Sequence, residues 1–255
     1  MKRKKSTTGK NASGGTMKKL ILITLFLSVA VGISVYYFIS AWNVKYPSLG
    51  KDYAAEVIKL PAPRLVGAVS VEKAILGRRS VRNYAEGAVT LAEVSQLLWA
   101  AQGITDREGF RAAPSAGATY PIELYLVAGN TSGFPTGIYK YQPYDHTIAR
   151  VKKGDHRKDF LKACPGQEWI EKAPMILVFA ADPERTVSRY GEVGVKYVHM
   201  EIGHASENVY LQAEALNLGT VAVAAFDANL IKPLVGLGPS EQALYLMPVG
   251  KKAKQ

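Results

Sequence analysis

The stretch Lys196 to Thr220 (KYVHMEIGHASENVYLQAEALNLGT) constrains this chain more than any other. Apolar residues recur at Val198, Ile202, Ala205, Val209, Ala213 and Leu216. That three-and-four spacing lines one face of an α-helix, and Asn217 and Gly219 supply the stop. Such a helix runs roughly 30 Å, about the diameter of a small domain. Met200, Tyr210, Leu211 and Ala215 spread further apolar surface around it. The helix is therefore expected to be buried, either centrally in its own domain or against a second subunit. Thr220 to Asp227 (TVAVAAFD) is a β-prone run of small residues, which leaves room for a flat ligand.

Ahead of this body lies a different kind of chain. Residues 1–19 carry Lys2, Arg3, Lys4, Lys5, Lys10, Lys18 and Lys19 and no acid, and read as a disordered basic tail. Leu20 to Trp42 is 23 residues without a charge, long enough to span a bilayer, with Tyr36, Tyr37 and Trp42 suited to an interfacial belt. The basic flank would stay cytoplasmic and put the body on the outer side. A signal peptide cleaved near Ser40-Ala41 is the rival reading. Residues 43–66, with Pro47, Pro61 and Pro63, read as a linker, 67–252 as the folded domain, and 253–255 as a tail. Without the first seven charges the chain holds 25 basic against 21 acidic residues, a balance that argues against a nucleic-acid platform.

Within the domain, Ser70 can cap a helix over Val71–Leu76 that Gly77 ends. Next comes Arg78-Arg79-Ser80-Val81-Arg82, where guanidinium forks and a hydroxyl suit a phosphate. Thr90 and Glu93 form a capping box that opens a helix closed by Gly103. Residues 110–121 (FRAAPSAGATYP) form a loop whose small side chains let backbone amides approach a ligand. Strands are expected over Ile122–Ala128, over Gly137–Gln142 and Thr147–Lys152 as a hairpin, and over Met175–Ala181, Val221–Phe226 and Ala243–Val249. Interleaved strands and helices make the class α+β or α/β.

Several chemistries drop out. His199 and His204 are five residues apart, about 140° around a helix, so they cannot share a metal as a pair four apart can. The single cysteine, Cys164, excludes an internal disulfide and multi-cysteine metal sites. No metal site is expected, and there is neither a dinucleotide fingerprint nor a phosphate-binding P-loop.

Five blocks in order carry a family resemblance: GRRSVRNY, LLWAAQGIT, PSAGATYPIELYLV, EIGHASENVYLQAEALNLGTV and LYLMPVG. Together they resemble the flavin-dependent nitroreductase superfamily, in particular its SagB-type dehydrogenase branch, over roughly residues 68–252. The resemblance implies a three-layer α+β sandwich with a mostly antiparallel sheet, a homodimer, and FMN at the subunit interface. It also implies ping-pong transfer between a small-molecule electron donor and an acceptor. Carried over block by block, Arg78, Arg79 and Ser80 would hold the FMN phosphate and pyrimidine edge, with Arg82 close by. Pro114, Ser115, Ala116 and Gly117 would line the isoalloxazine with Gln102 near it. Ala224 and Ala225 would offer backbone amides to the reactive ring nitrogen, and Gly250 and Lys251 would close on the phosphate. The long helix, with Asn208 inside it, would form much of the dimer core.

One departure bears on chemistry. Azoline dehydrogenases of this branch carry a Lys-Tyr pair before the long helix, and the matching residues here are Arg189-Tyr190. Arginine stays charged at any accessible pH and cannot act as a proton-transfer base, which leaves Tyr190 as the candidate acid. The rival from another class is a flavin-fold protein without turnover that serves as a membrane-tethered binding partner.

Overall fold

The computed structural model describes residues 56–253. The basic tail, the expected membrane-spanning segment 20–42 and most of the expected linker lie outside the described residues. Among the described residues no helix is long and apolar enough to cross a membrane.

Caps that the sequence advertises start the helices. Ser70 accepts from the backbone N–H of Lys73 at the head of α1 (Val71–Gly77). Thr90 and Glu93 form the reciprocal capping box of α2 (Leu91–Gln102). The remaining helices are α3 (Arg157–Ala163), α4 (Trp169–Lys172), α5 (Glu184–Tyr190), α6 (Val193–Ala215) and α7 (Ala228–Val235). Asp227 caps the last of these by accepting from the N–H of Asn229 at 2.9 Å.

The strands are β1 (Val57–Lys59), β2 (Tyr84–Ala85), β3 (Val89–Thr90), β4 (Ile122–Ala128), β5 (Thr131–Ser132), β6 (Gly137–Gln142), β7 (Thr147–Lys153), β8 (Met175–Ala181), β9 (Leu218–Thr220) and β10 (Gln242–Lys252). The main sheet runs β1-β7-β6-β4-β8-β10-β2, with β9 also on β10, and every pairing in it is antiparallel. β3 and β5 form a separate two-stranded parallel pair.

Strand alternation sorts the core into two layers, because successive side chains leave a strand on opposite faces. Leu124 and Leu126 of β4 and Leu177 and Phe179 of β8 pack with Leu97 and Leu98 of α2 and Ile202 and Val209 of α6. Tyr125, Val127, Ile176 and Val178 pack on the other face with Phe160 of α3, Ile170 of α4 and Ile231 and Val235 of α7. The result is the expected α+β arrangement of helices on both faces of a mostly antiparallel sheet.

Three expectations change. Val57–Lys59, read as linker, is an edge strand that pairs with Ala149, Ile148 and Thr147. The strand expected over Val221–Phe226 lies earlier, at Leu218–Thr220, with a single further bridge from Val223 to Leu246. The N–H of Ala222 donates to the Tyr210 hydroxyl at 2.7 Å instead of to a strand, which interrupts the ladder, and Ala224 and Ala225 are exposed. Finally, α6 is not buried on every side within one chain. Val198, Ile202, Ala205 and Val209 are in the core, whereas Val195, His199, Met200, Gly203 and His204 form an exposed flank. Its end is as expected, with Asn217 in the left-handed conformation at φ 57°.

Candidate functional site

Helix α6 is the spine on which the candidate residues are hung. The arginine loop leaves α1 at Gly77, where a Cβ would come within 2.6 Å of the Glu214 carboxylate of α6. The loop then joins the sheet margin: the N–H of Val81 donates to the carbonyl of Thr220 at 2.9 Å, and Ser80 bridges Thr220. The Arg78 guanidinium lies 5.1 Å from the centre of the Tyr210 ring and 3.9 Å from Glu207. The Ser80 and Tyr210 hydroxyls are 3.3 Å apart. Arg79 turns back and donates to the carbonyls of Leu76 and Arg78, closing the end of α1. Arg82 lies over the Trp169 indole at 5.5 Å. Arg78 and Ser80 thus meet at the Tyr210 side chain, and Arg79 and Arg82 flank them.

Tyr210 is a member of the site that sequence reasoning treated as core. Its hydroxyl accepts from the Ala222 N–H and reaches Ser80, so one side chain ties the arginine loop to the segment before Ala224 and Ala225. The carbonyl of Ala225 accepts from Gln167 Nε2 at 2.6 Å. At the end of β10, Gly250 is buried where a Cβ would meet Tyr84 and Pro174. Lys251 pairs with Glu93 at 2.5 Å, and the next residue, Lys252, pairs with Glu214 beside Gly77.

The second group gathers on the loop between α2 and β4. Gly117 has φ 59° within the short turn Ala116–Ala118. The Ser115 hydroxyl accepts from the N–H of Tyr120 at 2.9 Å. Gln102 is buried; its carbonyl accepts from Arg111 at 2.8 Å, and its Nε2 has no partner among the described residues. Asn208 of α6 donates to the carbonyls of Ala100 and Ala112 at 3.1 and 3.2 Å, fixing the loop's stem. From α5, Arg189 donates to the Gly117 carbonyl at 2.8 Å. A Cβ on Gly117 would lie 2.6 Å from the Tyr190 hydroxyl, so the Arg-Tyr pair is packed on this loop. The Tyr190 ring meets Tyr197 edge-on at 5.3 Å.

Glu201 of α6 lies between His199 and His204 and faces the interior. Only 2 % exposed, it has one carboxylate oxygen, Oε1, with no hydrogen-bond partner among the described residues. Burial pushes its pKa up to about 7, against the opposing pull of a Ser115 hydrogen bond and the Arg111 charge. A single acid on the largely apolar buried face of a helix gives no sequence signal of this kind. Only the fold brings Ser115 over it.

Among the described residues the two groups sit against different sides of α6. Glu201 and Asn208, which meet the Ser115 loop, lie on one side of α6. Tyr210, which meets the arginine loop, follows Glu201 by nine residues, about half a turn around and about 13 Å along the axis. The residues present fit a flavin: an orphaned buried amide at Gln102, small side chains at Ser115–Gly117, and a guanidinium and hydroxyl for a phosphate. Among the described residues no cluster of histidine, cysteine or carboxylate side chains could hold a metal.

Comparison with known proteins agrees with this geometry. The Nitroreductase family profile matches residues 75–251. A Methanocaldococcus jannaschii protein described as a nitroreductase is 45% identical over 184 residues, covering 72% of this chain and 92% of that one. The microcin B17-processing protein McbC of Escherichia coli is 28% identical over 113 residues, 42% of each chain. Among solved structures, a Ralstonia eutropha protein described as a nitroreductase superposes with a TM-score of 0.69 at 26% identity, covering 82% of this chain and 94% of that one. On the profile match and the archaeal relative together, this chain belongs to the nitroreductase family.

Proposed function

We propose that this protein is an FMN-dependent oxidoreductase of the SagB type that works as a homodimer. The observation that carries the reading is the separation of the two residue groups on opposite sides of α6, with an exposed flank between them. Val195, Met200 and Gly203 lie on that flank, and a second copy seated there would complete each site. Arg78 and Ser80, closed by Arg79 and the C-terminal Lys251, would hold the phosphate. Pro114, Ser115, Ala116 and Gly117 would lie against the ring, with Gln102 and the amides of Ala224 and Ala225 along its edge and Arg82 nearby.

Bound FMN would supply reversible two-electron chemistry, so the chain itself needs no nucleophile or metal. Its residues bind, orient and exclude water. The Tyr190 hydroxyl, at the lip of the Gly117 turn, is the group able to give a proton to an acceptor. Arg189 is bound to the Gly117 carbonyl and holds a permanent charge, so it orders the loop and removes no proton. This argues for reduction of a small acceptor over oxidation of an azoline ring. We further propose that residues 20–42 anchor the protein in a membrane with the N-terminus cytoplasmic and the domain outside.

The test is two-substrate kinetics with a nicotinamide donor and a quinone or nitroaromatic acceptor. Parallel double-reciprocal lines are expected, and Tyr190→Phe should lower turnover at least tenfold while leaving FMN bound. FMN-loaded protein that turns over no donor or acceptor would contradict the reading.

A further inference from the structure

An arginine carries its N–H donors in one rigid plane, and the edge formed by Nε and Nη2 matches the two oxygens of a carboxylate. On α5, three side chains grip the loop that leads into β4. Arg185 donates to the Tyr120 carbonyl at 3.0 Å, the Thr186 and Thr119 hydroxyls are 2.8 Å apart, and Arg189 donates to the Gly117 carbonyl at 2.8 Å. The last bond uses Nη1 of Arg189 alone. Among the described residues nothing accepts from its Nε or Nη2 and no carboxylate pairs with it. The acids of this stretch are committed elsewhere, Glu123 to Arg185 and Lys140, and Asp182 to Arg185. One matching edge of a fixed guanidinium is therefore left to bind an oxyanion.

The turn beneath it leaves the room. A Cβ on Gly117 would lie 2.8 Å from Arg189 Nε and 2.6 Å from the Tyr190 hydroxyl. Glycine has no such atom, so both groups border the same small space beside the turn. Arg189 is exposed and Tyr190 is 36 % exposed, which opens that space to solvent. The guanidinium is held by the Gly117 bond and stands 5.7 Å from the centre of the Tyr190 ring. Part of the ordering cost that weakens most surface ion pairs is thus met before a ligand arrives. We propose that Arg189 is a specificity-determining residue that selects electron acceptors carrying a carboxylate, which it takes through Nε and Nη2 beside the Tyr190 hydroxyl. This substrate class rests on the oxidoreductase reading. A small aromatic acid with its reducible group close to the carboxylate suits a site where the charge and the Tyr190 proton lie side by side.

Two measurements on the full-length chain test it. The first compares kcat/KM for 3-nitrobenzoate with that for its neutral isostere 3-nitrobenzamide. The ratio of the two should fall roughly fivefold in Arg189→Gln, the worth of one partly exposed charge pair, and fall less in Arg189→Lys, which keeps the charge and loses the fork. The change should sit in KM for the acid, and high salt should narrow the ratio in the wild type and leave it unmoved in Arg189→Gln. A residue that only braced the Gly117 turn would lower both acceptors together, so an unchanged ratio overturns the proposal. The second follows the Nε–H resonance of Arg189, identified by its absence from Arg189→Lys, as unreactive benzoate or benzamide is added. Benzoate should move it and benzamide should not; equal responses overturn the proposal. A chain that turns over neither nitro compound and binds no FMN would overturn the oxidoreductase reading instead, and the resonance would still decide whether Arg189 takes a carboxylate.

Discussion

The guanidinium of Arg189 donates to the carbonyl oxygen of Gly117 at 2.8 Å, which makes it a strut of the loop. The same turn admits no side chain. Gly117 has φ 59°, and a Cβ there would sit 2.6 Å from the Tyr190 hydroxyl and 2.8 Å from Arg189 Nε.

Gly117→Ala should therefore displace Arg189 and Tyr190. A left-handed alanine costs about 1–2 kcal/mol before any clash is counted. A loss of about 2 kcal/mol in urea unfolding is expected, with FMN affinity down at least tenfold. Arg189→Ala should weaken the turn by about 1 kcal/mol, and Arg189→Lys should restore only part of it, since a lysine lacks the fork.

Asn208 bonds two carbonyls that are 108 and 96 residues away in sequence, Ala100 and Ala112. Asn208→Ala leaves both with one partner fewer in a half-buried place, at about 1–3 kcal/mol. Asn208→Asp should be at least as harmful, because a carboxylate cannot donate. Denaturant midpoints check both.

His146 joins the edge of the domain to its hairpin. Its Nδ1 is 2.9 Å from the Tyr141 hydroxyl, and its Nε2 is 2.7 Å from Ser95 Oγ and 3.0 Å from the Pro61 carbonyl. Burial holds its pKa below the ordinary histidine value; the Pro61 carbonyl opposes this and the Lys59 charge adds to it. The unfolded chain then binds more protons in the window just below about pH 6.5, so stability contributed above that pH is lost as pH falls through it. His146→Gln should flatten the difference between pH 7 and 5.5 in thermal unfolding. An unchanged slope would remove His146 from the account.

Gly203 lies on the open flank of α6, where a Cβ meets nothing within 4 Å. Gly203→Ala should stabilise the isolated fold by up to about 1 kcal/mol, as expected for a helix interior. Gly203→Arg should leave the circular dichroism unchanged but shift sedimentation from dimer to monomer and release FMN. A monomeric wild type would contradict the shared site.

Much of the frame was legible because its signals are local. The capping box at Thr90 and Glu93, the β6–β7 hairpin, the apolar run of β8 and the stop at Asn217 follow from neighbouring residues. The short helices α3, α4 and α5 were missed, since they lack strong caps and a sustained period. The β9 shift was missed for a different reason: a tyrosine hydroxyl twelve residues away in sequence takes the N–H of Ala222. The arginine loop and the Ser115 loop were legible as motifs, yet their placement on opposite sides of α6 was not, because helix phase becomes a spatial fact only when both loops are seated. Glu201 and Tyr210 were invisible for the same reason. Each is an ordinary helix residue until a distant loop covers it.

The most direct test of the flavin site is the visible absorption spectrum of the purified full-length chain, followed by release and identification of any chromophore. The account predicts yellow protein with about one FMN released per chain, and a colourless Arg78→Ala Ser80→Ala variant that stays folded. A wild-type protein that is colourless and stays so with added FMN would contradict it.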